Sequence, residues 1–238
     1  PRKRRRYRRR ADPMSAAATD DSGALRRARV RRLAGLYAVT PDLADTADLV
    51  ARVEAAVTGG ACAIQYRNKT ADPALARAQA AALARVHAAR GALYFVNDDP
   101  ELAAAIGADG VHVGEDDGAI AAARAIVGLD RLVGASCYDD IDRARAAVAA
   151  GADYVAFGSF FASGVKPNAR RAELSLLRDA ASLGVPVVAI GGIDADNAAD
   201  LFAAGADAVA VISAVFATGD VADATEALMK VVRRHGRG

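Results

Sequence analysis

From about residue 35 onward, short apolar runs alternate with longer stretches in which apolar residues recur at helical spacing. The short runs predict strands over 35–41, 62–69, 93–99, 110–116, 132–137, 154–161, 186–192 and 208–216. Between them lie segments rich in Ala, Leu, Arg and Asp, with helices expected over 73–90 and 139–150 among others. Eight strands alternating with helices over about 205 residues predict the α/β class and a (β/α)8 TIM barrel. An open, doubly wound sheet fits the alternation less well. No Gly-x-Gly-x-x-Gly follows the first strand, and the last strand is followed by a helix.

An internal echo supports repeated units. Gly107-Ala108-Asp109, Gly151-Ala152-Asp153 and Gly205-Ala206-Asp207 each close an Ala-rich helix and precede a strand. The glycine suits the left-handed residue that ends a helix, and the Ala-Asp pair turns the chain into the next strand.

Composition narrows the class. The chain has 238 residues, 53% hydrophobic and 25% charged, which excludes wholesale disorder. No apolar run approaches the ~18 residues of a membrane span. Net charge is +2, yet residues 1–13 hold eight basic groups and one acid, so the chain from Met14 onward carries −5. The basic character therefore belongs to an arm and not to the domain. Residues 1–32 read as a basic and then Ala-rich extension, disordered in its first part, and 33–238 as one barrel. Met14 is a plausible native start, and the arm lacks the apolar core of a secretory signal. With a single aromatic, Tyr7, and no motif, the arm does not predict nucleic-acid binding. Cys62 and Cys137 lie in strand-like runs with no zinc spacing, as expected of buried free thiols in the cytoplasm. Homo-oligomerisation is left open.

In a barrel the chemistry gathers where strands end. The second strand offers Gln65, Arg67 and Lys69 at alternating positions, which would set all three on one face as ligand contacts. The third ends Asn97-Asp98-Asp99 and the fourth Gly114-Glu115-Asp116-Asp117. Each acidic cluster alone is as well explained by helix capping. Together at one rim they would repel unless a cation bound, and carboxylates with room for water and phosphate suit Mg²⁺. The loop after the sixth strand carries Ser163 and Lys166, the seventh strand ends Gly191-Gly192, and the eighth contains Ile212-Ser213. The loops after strands 7 and 8 are the recurrent phosphate site of barrels. His112 reads as structural, and the sequence presents no Ser/His/Asp or Cys/His set.

Taken in order, GLYAVTP, IQYRNK, FVNDD, GADGVHVGEDD, GAS, DYVAFGSFF…K, AIGGI and AVAVISA resemble the thiamine-phosphate synthase family from about Leu33 to the C-terminal helix. The resemblance implies an Mg²⁺-dependent transferase that joins hydroxymethylpyrimidine pyrophosphate to thiazole phosphate and releases pyrophosphate. It places Gln65, Arg67, Lys69, Asn97 and Lys166 at the pyrophosphate and Ser136 near the pyrimidine. Asp98 and Asp117 would hold the metal, and Ser163, Gly192, Ile212 and Ser213 the thiazole phosphate. The chain departs from the family pattern at Asn68 (commonly Asp), Glu115 (commonly Gln) and Val165, where a hydroxyl is lost. A thiazole tautomerase-like barrel is the nearest alternative, and it has no need of the pyrophosphate residues. A catalytically silent thiazole-phosphate-binding protein is the alternative from another class.

Overall fold

The computed structural model describes residues 13–114, 119–162 and 171–236. Its strands β1 (Gly35–Val39), β2 (Ala63–Tyr66), β3 (Leu93–Asn97), β4 (Gly110–Val113), β5 (Leu132–Tyr138), β6 (Tyr154–Phe157), β7 (Val187–Ile190) and β8 (Ala208–Val211) pair in parallel in sequence order. β8 returns to β1, with Leu36 opposite Val209, so the sheet closes and the open-sheet alternative is excluded. The intervening helices are α2 (Thr46–Thr58), α3 (Pro73–Arg90), α4 (Pro100–Ala105), α5 (Ala119–Val127), α6 (Ile141–Ala149), α7 (Leu174–Ala180) and α8 (Ala198–Ala204). A short α9 (Ser213–Phe216) and a long α10 (Val221–His235) follow β8, and α1 (Pro13–Arg31) precedes β1.

Period-two alternation sorts the strand residues into two cores. Outward residues such as Leu36, Ile64, Tyr94, Val111, Val133 and Val155 join the helices in the larger cluster. Inward residues such as Tyr37, Ala63, Phe95, Leu132, Tyr154 and Val188 fill the barrel. Tyr154 crosses the interior because β5 offers Gly134 opposite it. A Cβ at Gly134 would lie 2.0 Å from Tyr154 Cζ.

The Gly-Ala-Asp echo has a mechanical role. Asp109 accepts from the Tyr94 backbone N–H at 3.0 Å, Asp153 from that of Val133 at 2.8 Å, and Asp207 from that of Val187 at 2.8 Å. Each acid thus ties the strand it precedes to the start of the preceding one. α1 docks on the same end: Arg29 pairs with Asp109 at 2.7 Å and Arg26 with Asp153 at 3.4 Å. The Ala-rich half of the extension is therefore helical, and its C-terminal part belongs to the packed fold. The basic arm, residues 1–12, lies outside the described residues.

Every expected strand except the fifth runs past its ladder. β2 stops at Tyr66, β6 at Phe157 and β8 at Val211. The chain has turned into loops by Lys69 and Phe161, and Ser213 opens α9.

Candidate active site at the C-terminal end of the barrel

A cavity of about 590 Å³ opens where the strands end. Of the residues singled out for chemistry in the sequence, Gln65, Arg67, Asn97, Ser136, Gly191 and Ile212 line it. Strand register brings them together: Asn97 lies opposite His112, His112 opposite Gly134, and Ser136 opposite Ala156.

The floor is a neutral hydrogen-bonded chain. Gln65 Nε2 donates to Tyr37 Oη at 2.9 Å, and Tyr37 Oη lies 3.0 Å from Tyr154 Oη. Tyr154 Oη meets His112 Nδ1 at 3.0 Å, and His112 Nε2 meets Ser136 Oγ at 2.9 Å. Burial pushes the Tyr37 and Tyr154 hydroxyls well above the ordinary tyrosine range. The same desolvation, only partly opposed by Asp98, lowers His112 from 6.5 to about 4. His112 is thus a neutral hydrogen-bonding group at neutral pH and too weak a base to activate Ser136 as a nucleophile.

The rim is charged. Arg67 stands just past the end of β2, its ion pair with Asp42 spanning 3.2 Å. Its backbone is clamped by Thr40, whose hydroxyl accepts from Arg67 N at 2.8 Å and donates to Arg67 O at 2.9 Å. Asn68 orders the same loop. Its Nδ2 donates to Leu43 O and Gln79 Oε1, while its Oδ1 accepts from the Thr70 and Ala71 amides. A carboxylate could not make the two donations, which accounts physically for Asn at this position. Across the cavity a bulge between Ser136 and Tyr138 shifts the β5–β6 register before its last pair, Tyr138 opposite Phe157. The Arg143 guanidinium lies 5.8 Å from the Tyr138 ring centroid, and both residues line the wall.

The other expected site residues fall outside this wall. Lys69 is an exposed loop residue whose backbone N–H donates to Asp42 at 2.9 Å, so the single face shared by Gln65, Arg67 and Lys69 does not form. β2 ends before the alternation reaches it. Of the acids after β3, Asp99 caps α4 through the Leu102 amide at 2.8 Å, while Asp98 is exposed at the strand end with φ 59°. Asn97 Nδ2 donates to Asp98 Oδ2 at 2.7 Å. Gly191 lines the cavity, and Gly192, at φ 67°, forms the turn behind it. A Cβ at Gly192 would come within 2.3 Å of Ala162 O, so this turn needs glycine for its own geometry. Ser213 is exposed at the start of α9. Asp117, Ser163 and Lys166, with the departures Glu115 and Val165, lie outside the described residues.

Tyr37, His112, Tyr138, Arg143 and Tyr154 were not singled out for chemistry from the sequence. The available signal was parity. His112 has the inward parity of Asn97, and Tyr154 faces the one inward glycine of β5. His112 and Ser136 meet across 24 positions of sequence, a separation at which spacing does not reveal the contact.

A neutral floor beneath a cationic and acidic rim suits a ligand with a heteroaromatic end and an anionic end. A family model described as thiamine monophosphate synthase matches residues 36–215. The chain belongs to that family. The thiamine-phosphate synthase of Chromobacterium violaceum is 58% identical over 197 residues, which are 83% of this chain and 95% of that protein. That of Methylobacillus flagellatus is 54% identical over 187 residues, 79% of this chain and 90% of that one. Among solved structures, the thiamine phosphate pyrophosphorylase of Pyrococcus furiosus superposes with a TM-score of 0.77 at 38% identity, covering 87% of this chain and 98% of that chain. The family is one of transferases, and its barrel is the one described above.

Proposed function

We propose that the cavity joins hydroxymethylpyrimidine pyrophosphate to thiazole phosphate, giving thiamine phosphate and pyrophosphate. The observation that carries this reading is that Arg67 lines the same cavity as a neutral, hydrogen-bonded floor. The pyrimidine ring lies on the floor beside Ser136, and its pyrophosphate extends to the rim. There Arg67 and Asn97 bind it, joined by Lys69 and Lys166, and Gln65 stands at the boundary between ring and pyrophosphate.

The bond from the methylene carbon to the pyrophosphate oxygen breaks with its electron pair leaving on oxygen. The pyrimidine ring spreads the positive charge, and the thiazole nitrogen lone pair forms the new carbon–nitrogen bond. The protein's part is to hold the reacting atoms in line and to stabilise charge on the departing group. Ser163, Gly192, Ile212 and Ser213 hold the thiazole phosphate.

Asp98 fits a hard cation, being an exposed oxygen donor beside the rim with its Oδ2 fixed by Asn97. Among the described residues no group of three or more His, Cys, Asp or Glu side chains is placed to hold a metal ion. Mg²⁺ held by Asp98 and Asp117 would supply positive charge to the pyrophosphate oxygens.

Pyrophosphate release, measured with each substrate omitted in turn and with both present with Mg²⁺, tests the reading. Release that requires both substrates is expected. Release from the pyrimidine substrate alone at the same rate, or none with both, would overturn it.

A further inference from the structure

The floor of the cavity carries more information than a set of contacts, because every member of the chain Gln65–Tyr37–Tyr154–His112–Ser136 must be either donor or acceptor at each link. The Gln65 amide nitrogen has only hydrogens to offer, so Tyr37 Oη accepts from it. Tyr37 and Tyr154 are each about 1% exposed or less, so each hydroxyl hydrogen must find a partner within the chain. The Tyr37 hydrogen then goes to Tyr154 Oη, 3.0 Å away, and the Tyr154 hydrogen to His112 Nδ1, also 3.0 Å away. Nδ1 is thereby an acceptor, and the imidazole proton sits on Nε2. Nε2–H donates to Ser136 Oγ at 2.9 Å. With one lone pair of Oγ occupied from behind, the Ser136 hydrogen is left to point into the cavity that its side chain lines. Reversing the chain would set the Tyr37 hydrogen against the Gln65 N–H, two donors facing each other in a buried contact.

We propose that Tyr154 is a positioning residue that locks His112 in its Nε2–H tautomer and so commits the Ser136 hydroxyl to donate a hydrogen bond to an acceptor atom, such as a ring nitrogen, of the bound heterocycle. The device gives specificity. A ligand that presents a hydrogen at this point meets a second hydrogen, whereas one that presents a lone pair completes the chain.

The ligand identity rests on the proposed synthase reading, but the tautomer does not, so the test has two arms. In the ¹⁵N-labelled full chain without ligand, long-range proton–nitrogen NMR correlations should show His112 with a protonated Nε2 and a bare Nδ1. The signal is assigned by its loss in His112→Gln. In Tyr154→Phe the pure pattern should give way to a mixture of tautomers or to Nδ1–H. In kinetics, Tyr154→Phe should raise KM for the pyrimidine substrate by about three- to tenfold, the scale of one hydrogen bond. KM for thiazole phosphate should stay within twofold of the parent. A His112 Nδ1–H tautomer in the unaltered protein would overturn the proposal outright, whatever its activity, because Ser136 would then donate backward to the imidazole. An unchanged His112 pattern in folded Tyr154→Phe, or equal KM changes for both substrates, would remove Tyr154 as the lock. Absence of synthase turnover with the Nε2–H pattern intact would sink the ligand assignment and leave the tautomer standing.

Discussion

His112 is read from sequence as a core histidine because it lies between Val111 and Val113 in a strand, and apolar neighbours are what a buried residue has. Those valines point to the helices, however, and His112 points into the barrel, where the tyrosines and Ser136 meet it. Its burial has a measurable consequence. The folded protein holds it neutral down to about 4, whereas an unfolded chain protonates it below about 6.5. The unfolded chain therefore binds more protons across that window, and folding stability falls as pH falls through it. Between pH 7 and pH 5 the loss attributable to this group should be about 2 kcal/mol. Urea unfolding of the parent and of His112→Asn at both pH values measures it as a difference of differences. Equal pH dependence in the two proteins would show that His112 is not held neutral. Gln65, Arg67 and Asn97 were legible because polar residues at barrel strand ends have few other reasons to be there. The strand expected to reach Lys69 is too long, because spacing alone does not reveal that β2 stops at Tyr66.

Among the elements, α3 begins and ends where its sequence signals put it, with Asp72 as cap, Pro73 in the first turn and Gly91 in the left-handed position. Strand ends were harder to place. Apolar loop residues such as Phe160 and Ile193 are buried against the helix–sheet core, so hydrophobicity continues past the ladder in both β6 and β7. The Gly-Ala-Asp echo was visible as a turn, yet its carboxylates do more than turn the chain. Asp153 accepts from the Val133 amide and pairs with both Arg26 and Arg124. Asp153 is 9% exposed, so its loss leaves part-buried guanidinium charge uncompensated. Asp153→Ala should destabilise the fold by about 3 kcal/mol in urea unfolding at pH 7, while kcat of the folded fraction changes little, because this end of the barrel is opposite the cavity. A loss under about 1 kcal/mol would mean that α1 is not held by this pair.

For the whole molecule, closure of the sheet was legible in the count and order of strand–helix units, since a parallel strand needs a crossover and eight such units make a barrel. The division of the cavity into a neutral floor and a charged rim was not legible, because it depends on which side chains share inward parity across five strands. On the proposed reading, that division lets the buried chain recognise the ring end of a substrate and Arg67 its anionic end. The variant that addresses this most directly is Arg67→Ala, with Arg67→Lys beside it, assayed for pyrophosphate release at saturating substrates and Mg²⁺. A pre-organised donor to the departing charge typically contributes on the order of 100- to 1,000-fold in rate. Arg67→Ala should therefore lower kcat by about that factor while its urea midpoint stays near that of the parent. Arg67→Lys should recover only part of the rate, because an ammonium lacks the planar two-pronged grip on phosphate. Turnover of folded Arg67→Ala within about threefold of the parent would contradict the account, since the charged rim would then take no part in the departure of pyrophosphate.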